Sequence, residues 1–145
     1  GKITYAESLK LGVVRVRDAI GSDRAAIENY YRKQICGYKK ISADKLYAIG
    51  GTATSLASML LGQKTYDADA VHGYVIEKNA LDRLIDDIFA SDNLGRDYPT
   101  LGEKRALVIG HGAILLSLLA DYLGFDKITV SEHDNIEGYL ISLKK

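Results

Sequence analysis

Apolar positions recur at helical spacing in several parts of the chain. After Ser22 and Asp23, either of which can cap a helix, the chain up to Cys36 carries apolar side chains three or four positions apart. Residues 77–90 place leucines and isoleucines on one face and charged residues on the other. Residues 105–123 are apolar on nearly every face and predict a buried helix, although their first part also resembles a strand. Gly124 is expected to end that helix.

Alternating and short apolar runs predict strands elsewhere. Residues 3–9 and 11–17 alternate, and their short joint predicts an antiparallel pair. The remaining predictions are strands at 46–49 and 127–131, an extended piece at 74–76, helices at 52–61 and 136–143, a loop or broken helix at 62–73, and a polar connection at 91–100. The order of these elements indicates a layered α/β domain with a mixed sheet.

The predicted strand at 46–49 passes through Gly50 and Gly51 into a helix that begins with Thr52 and continues through Thr54 and Ser55. Glycines allow a ligand to approach the backbone, a helix N-terminus offers unpaired N–H groups, and hydroxyls add donors. This pattern predicts an anion site, and phosphate is the natural ligand. A tight connection between a strand and a helix also requires small residues such as a glycine pair. The anion site and the purely structural connection therefore both stay open as interpretations.

Composition narrows the function classes. The 145 residues correspond to one domain, and 19 basic residues balance 19 acidic ones, so bulk charge does not favour nucleic acid or membrane partners. Any phosphate must therefore be recognised by local groups. The single cysteine excludes an internal disulfide and fits the cytoplasm, and no apolar run is long enough to span a membrane. The three scattered histidines do not indicate a zinc site.

Five motifs in order resemble the C-terminal domain of the exopolyphosphatase and guanosine-pentaphosphate phosphatase family, within the actin-like, sugar-kinase and Hsp70 ATPase superfamily. They span nearly the whole chain. They are SLKLGVVR at 8–15, AIGGTATSL at 48–56, VHG at 71–73, RALVI at 105–109 with Gly112 and IL at 114–115, and ITVSE at 128–132 followed by EG at 137–138.

The resemblance implies a ribonuclease H-like (actin-like ATPase) fold of the α/β class, with helices on the faces of a mixed sheet. It also implies a two-domain enzyme that, usually with Mg²⁺, removes terminal phosphate from polyphosphate or converts guanosine pentaphosphate to tetraphosphate. The family's catalytic glutamate, in the first domain, and its DxGGGS loop are not in this chain. We therefore expect residues 1–145 to be the second domain, either a fragment or completed by another chain, and inactive alone. The expected partners are the first domain, a phosphate substrate and a second copy in a homodimer.

The resemblance also assigns site residues. Gly50, Gly51 and Thr52 match a second phosphate loop, and Arg105 matches an arginine that faces the interdomain cleft. A guanidinium can clamp phosphate oxygens in a bidentate pair, which gives this assignment a physical basis. The alternative for Arg105 is a surface arginine that begins a helix. Leu107 stands where the family commonly has an acid, so the local polar network departs from the family pattern.

Four further residues are candidates for supporting the site: Thr54, His72, Ser131 and Glu132. His72 and Gly73 match a His-Gly pair of the family, and a hydrogen-bonded turn is the favoured role for this histidine. Ser131 and Glu132 end a strand at the edge of the sheet where open α/β folds bind ligands. No residue of this chain is assigned as catalytic or as a metal ligand.

Two other functions fit the same pattern. One is a non-catalytic module that binds nucleotides or alarmones through the same loop, and the other is a structural half that closes on a first domain and forms dimers. Because a central strand is missing from the predicted sheet, we expect an open hydrophobic edge or pairing with another chain. The preference between polyphosphate and guanosine pentaphosphate, and the number of subunits, stay open.

Overall fold

The computed structural model describes residues 3–143, apart from the side chains of residues 135 and 142. A mixed three-stranded sheet forms its centre, with strands β1 Leu46–Ile49, β2 Val75–Glu77 and β3 Lys127–Ser131 in the order β1-β3-β2. β1 runs parallel to β3, whereas β2 runs antiparallel to it. All three strands were predicted, and the α/β class with a mixed sheet is confirmed.

The described residues also form nine helices, of which α4, α6 and α7 are single turns. They are α1 Val13–Ile20, α2 Arg24–Ile35, α3 Gly51–Leu60, α4 Ala68–Val71, α5 Lys78–Ala90, α6 Leu94–Asp97, α7 Glu103–Ala106, α8 Ile109–Leu123 and α9 Asn135–Ser142. None of the helices in this described part of the chain is both long and apolar enough to cross a bilayer.

The core is organised around α8, which packs against α1, α2, α3 and α5. This helix is apolar on most of its circumference, as expected of a helix covered by neighbours on several sides. Ile109 and Ile114 on α8 belong to one buried core cluster with fully buried side chains of other elements, which include Ile27, Tyr31, Leu56, Ile76, Leu81 and Ile128. Each such aliphatic side chain contributes about 2 kcal/mol when it leaves water.

The predicted antiparallel pair near the N-terminus is wrong. Residues 3–9 have no regular secondary structure, and the second alternating run belongs to α1. Val13 and Val16 lie one helical turn apart, and Val16 is buried (1% exposed) whereas Val14 is 54% exposed. A four-residue alternation of valine and arginine fits both periods, and packing on α8 favours the helical one.

The predicted helix over residues 105–123 is broken. α7 ends at Ala106 and α8 begins at Ile109, because Val108 leaves the helical conformation with φ −130° and ψ −3°. No strand forms in this segment. Gly124 ends α8 in the left-handed conformation (φ 81°), as predicted.

Two surfaces of the domain are apolar and exposed. In the described part of the chain, β1 pairs only with β3, so its outer edge is open there, which is one of the two outcomes expected from the sequence. Tyr47 and Ile49 are exposed there beside an apolar groove of about 280 Å³ lined by residues that include Val13 and Leu115. The second surface is α9, which exposes Ile136, Tyr139, Leu140 and Ile141.

Candidate anion-binding site

The turn from β1 into α3 consists of Gly50 and Gly51, and both residues are exposed. Gly50 has φ 86°, a conformation that L-residues with a side chain rarely adopt. The N-cap of α3 is Gly50, which has no side chain to accept a hydrogen bond, and no side-chain cap is found for this helix among the described residues. The N–H groups of its first turn and the positive end of the helix dipole are therefore directed toward an exposed surface, where an anion would be stabilised.

Arg105 reaches this turn from α7, 50 positions along the chain from its hydrogen-bond partner Ser55. Its Nη1 donates to Oγ of Ser55 at 2.9 Å. Its guanidinium lies against Gly51, where an added Cβ would be 2.7 Å from Nη2 and 3.1 Å from Cζ. Glycine at position 51 therefore provides space for the arginine, whereas glycine at position 50 permits the backbone conformation.

The charge of Arg105 is not neutralised by the part of the chain that the structure describes. Every ion pair found there involves other groups, and no described carboxylate lies within 4.0 Å of its guanidinium. A guanidinium without a described ion-pair partner, beside an uncapped helix N-terminus, combines two sources of positive potential at one place. Residues 50–52 and Arg105, which the sequence placed in one site, are thus brought together.

Thr52 fixes the start of α3 against α8. A Cβ at Gly112 on α8 would lie 2.4 Å from Cγ2 of Thr52 and 2.9 Å from its Oγ1, so only glycine accommodates this contact. Thr52 is half-buried, whereas Thr54 and Ser55 are 7% and 6% exposed. Thr54 and Ser55 therefore face the interior of the domain, and of the three hydroxyl residues only Thr52 is partly exposed at the turn.

The contact between Ser55 and Arg105 was missed at the level of the sequence. The only feature of the sequence that points to this contact is the hydroxyl of Ser55. It lies four positions after Gly51 and therefore one helical turn along α3 from its first residue. That feature could not identify an arginine 50 residues away as the partner.

His72, Ser131 and Glu132 form a neighbouring cluster at the end of β3. Because Ile49 pairs in register with Ser131, this cluster lies at the same end of the sheet as the Gly50–Gly51 turn. The backbone N–H of Glu132 donates to Nδ1 of His72 at 3.3 Å, and the hydroxyl of Tyr66 bonds to the carboxylate of Glu132. Ser131 bonds to the backbone of His133.

The side-chain hydrogen bonds described for this cluster are made within it and to Tyr66 and His133, and none of them reaches Arg105. Through the hydrogen bond from Glu132, His72 joins the segment before β2 to the end of β3, and its predicted role as a hydrogen-bonded turn residue stays a prediction. Within residues 3–143, no group of three or more histidine, cysteine, aspartate or glutamate side chains is arranged to hold a metal ion.

Comparison with known proteins gives one family match. The Ppx/GppA phosphatase family matches over residues 1–145. Bifunctional 3-dehydroquinate synthase/phosphatase of Fusobacterium nucleatum is 31% identical over 110 residues, which are 75% of this chain and 16% of that protein. Exopolyphosphatase 2 of Mycobacterium tuberculosis is 33% identical over 100 residues, which are 66% of this chain and 31% of that protein.

Solved structures agree with the observed fold. A Ppx/GppA family member of Aquifex aeolicus superposes with a TM-score of 0.90 at 22% identity, over 99% of this chain and 49% of that one. An exopolyphosphatase of Cytophaga hutchinsonii gives a TM-score of 0.78 at 20% identity, over 98% of this chain and 50% of that one. The chain thus spans about half the length of these solved relatives and under a third of the curated ones. The predicted fold, of the actin-like ATPase type, is confirmed.

Proposed function

The chain belongs to the Ppx/GppA phosphatase family, and from this premise we propose that it is the phosphate-binding half of a phosphatase that removes terminal phosphate from inorganic polyphosphate or guanosine pentaphosphate. The observation that carries the proposal is the guanidinium of Arg105, which lies on the Gly50–Gly51 turn without a described carboxylate partner.

The site can hold and orient a phosphate group. N–H groups at the start of α3 donate to phosphate oxygens, and Arg105 supplies a full positive charge beside them. Because phosphoryl transfer depends mainly on positioning and on neutralising the charge of the transferred group, such a half-site contributes to catalysis without supplying a base. The glutamate that activates water is proposed to come from the first domain.

The domain arrangement is a second part of the proposal. We propose that residues 1–145 are the second domain of a two-domain protein, with substrate bound between the domains. The open edge of β1 and the exposed apolar side chains of α9 support this, because a neighbouring domain would remove both surfaces from water. A homodimer and a cytoplasmic location remain proposals as well.

Magnesium is proposed for the whole enzyme only. The described residues do not include a cluster of side chains suited to hold a metal, so we assign Mg²⁺ no ligand in this chain and no step of the mechanism. Magnesium commonly binds through one or two carboxylates together with substrate phosphates, and a phosphate chain would carry it into the site.

A binding titration tests the phosphate site. Inorganic tripolyphosphate and guanosine tetraphosphate are titrated against the 145-residue chain and against Thr52→Ala, Arg105→Ala and Arg83→Ala. Loss of the Arg105 guanidinium is expected to weaken tripolyphosphate binding roughly tenfold. Arg83, an exposed arginine of α5, is the matched control and should leave the affinity unchanged. Equal affinity in wild type, Thr52→Ala and Arg105→Ala would leave only a structural role.

A phosphate-release assay tests whether this chain binds phosphate but needs the first domain for catalysis. The purified 145-residue chain, with polyphosphate and magnesium, is expected to release no phosphate. Clear turnover would refute the proposal that this chain is an inactive half. Binding without turnover in the parent protein would favour the alternative, a module that senses nucleotides or alarmones.

A further inference from the structure

We infer that Ser55 is a positioning residue, which holds the Arg105 guanidinium over the Gly50–Gly51 turn before any anion arrives. This inference rests on the proposed function, because it assigns the residue that prepares the proposed phosphate site. The resemblance described above assigns no function to Ser55, although the residue lies within the quoted motif at 48–56, and its side chain is buried (6% exposed).

The need for such a residue follows from where Arg105 sits. α7 is a single turn, and the break at Val108 separates it from the long, buried α8. Arg105 is exposed, and no described carboxylate fixes its guanidinium. An arginine side chain without a fixed partner samples many rotamers, and binding an anion would then cost the entropy of ordering it.

Ser55 provides a fixed point for this side chain. It lies in the second turn of α3 at 6% exposure, between Thr54 (7%) and Leu56 (0%). Its Oγ accepts from Nη1 of Arg105 at 2.9 Å. Because α3 packs on α8 and on the sheet, the hydroxyl cannot follow the arginine if the arginine moves away.

The same bond determines which nitrogens remain for an anion. Nη1 is engaged with Ser55, and the nitrogens nearest to the Gly51 position are Nη2 at 2.7 Å and Nε at 3.4 Å from an added Cβ. Nε and Nη2 form one edge of the guanidinium, and such an edge can donate two parallel bonds to a phosphate. Ser55 thus leaves that edge next to the turn, while its own burial keeps it from touching the anion.

The first experiment measures the order of the Arg105 side chain in the free 145-residue protein. The ¹⁵N heteronuclear NOE of its Nε–H is recorded for wild type, Ser55→Ala, Ser55→Thr and Ser58→Ala. Ser58 is the matched control, because it is a buried serine of the same helix whose hydroxyl bonds to Gln63 and Thr100. The NOE is expected to fall in Ser55→Ala and to stay near the wild-type value in Ser55→Thr and Ser58→Ala. An NOE that is unchanged in Ser55→Ala would overturn the inference.

The second experiment is a double-mutant cycle on tripolyphosphate affinity. Ser55→Ala alone is expected to weaken binding roughly fivefold, the effect of one hydrogen bond. In the Arg105→Ala background the same substitution should have no further effect, because Ser55 acts only through the arginine. An equal loss in both backgrounds would overturn the positioning role. Wild type that fails to bind tripolyphosphate would refute the proposed function, whereas the NOE decides the role of Ser55 independently.

Discussion

At the scale of single residues, Tyr31 departs most from ordinary packing. Its side chain on α2 is fully buried, and its hydroxyl is a buried group without a hydrogen-bond partner in the described part of the protein. Burial, together with the neighbouring Tyr30, raises the pKa of Tyr31 to about 12. The ring stabilises the folded state through its apolar surface and its edge contact with Tyr30, whose ring centroid is 5.9 Å away. The buried hydroxyl lowers the free energy of unfolding, because it loses its hydrogen bonds to water and gains none in the described part of the protein.

We expect Tyr31→Phe to raise the free energy of unfolding by about 1 kcal/mol at neutral pH, because it removes an unsatisfied polar group. The raised pKa of Tyr31 means that the folded state holds this proton at a pH where the unfolded state releases it. The free energy of unfolding of the wild type therefore falls as the pH rises from about 10, the ordinary tyrosine pKa, toward 12. The contribution of Tyr31 to this fall is absent in Tyr31→Phe.

Urea unfolding at pH 8 and pH 11 measures both effects, with the partly buried Tyr30→Phe as control. The advantage of Tyr31→Phe over wild type should widen at the higher pH. An advantage that narrows there, or a variant less stable than wild type at pH 8, would show that the hydroxyl has a partner.

At the scale of elements, the two glycines between β1 and α3 have separate physical tasks. Gly50 has φ 86° and nothing within 4 Å of an added Cβ, so its constraint comes from the backbone. Gly51 has no such φ, and its constraint is the guanidinium of Arg105 at 2.7 Å. The same dipeptide thus contains one residue needed for the turn and one needed for the site.

Gly50→Ala is therefore expected to lower the free energy of unfolding by about 1.5 kcal/mol through backbone strain. Gly51→Ala should change stability little, because a flexible side chain can move away, but it should weaken tripolyphosphate binding by displacing Arg105. Urea unfolding and titration of each variant measure the two effects. If Gly51→Ala lowers stability as much as Gly50→Ala and leaves tripolyphosphate binding intact, the tasks are not divided in this way.

At the scale of the whole molecule, the two edges of the sheet differ. The outer edge of β1 exposes Tyr47 (58%) and Ile49 (46%) beside an apolar groove, whereas β2 at the other edge is a three-residue strand that exposes Val75. An open apolar edge that presents unpaired backbone groups favours association with another strand. Among the described residues, the outer edge of β1 is therefore the place where a further strand can add to this sheet.

We expect the 145-residue chain to self-associate at high concentration, and Tyr47→Lys to weaken that association roughly tenfold by placing a charge on the edge. Val75→Lys at the opposite edge is the matched control and should have a smaller effect. Sedimentation equilibrium of the three proteins measures the difference. A wild type that remains monomeric at millimolar concentration would show that the β1 edge is protected without a partner.

Local patterns in the sequence determined most of the elements, because side-chain periodicity and glycine conformation act over a few residues. They located all three strands, the helices α2, α3 and α5, the left-handed Gly124 and the turn at Gly50 and Gly51. They failed at residues 11–17, where alternation over four residues fits a strand and a helix equally well. Packing of Val16 on the core favoured the helix.

Tertiary structure alone decided how the site is assembled. The sequence proposed Arg105 and the glycine turn as parts of one phosphate site by resemblance, but contacts between segments 50 residues apart depend on how α3, α7 and α8 pack. That packing places the arginine on Gly51, turns Ser55 inward as its acceptor and seats Thr52 on Gly112. Periodicity specifies which face of an element is buried, whereas the partner that meets that face is specified only by the folded chain.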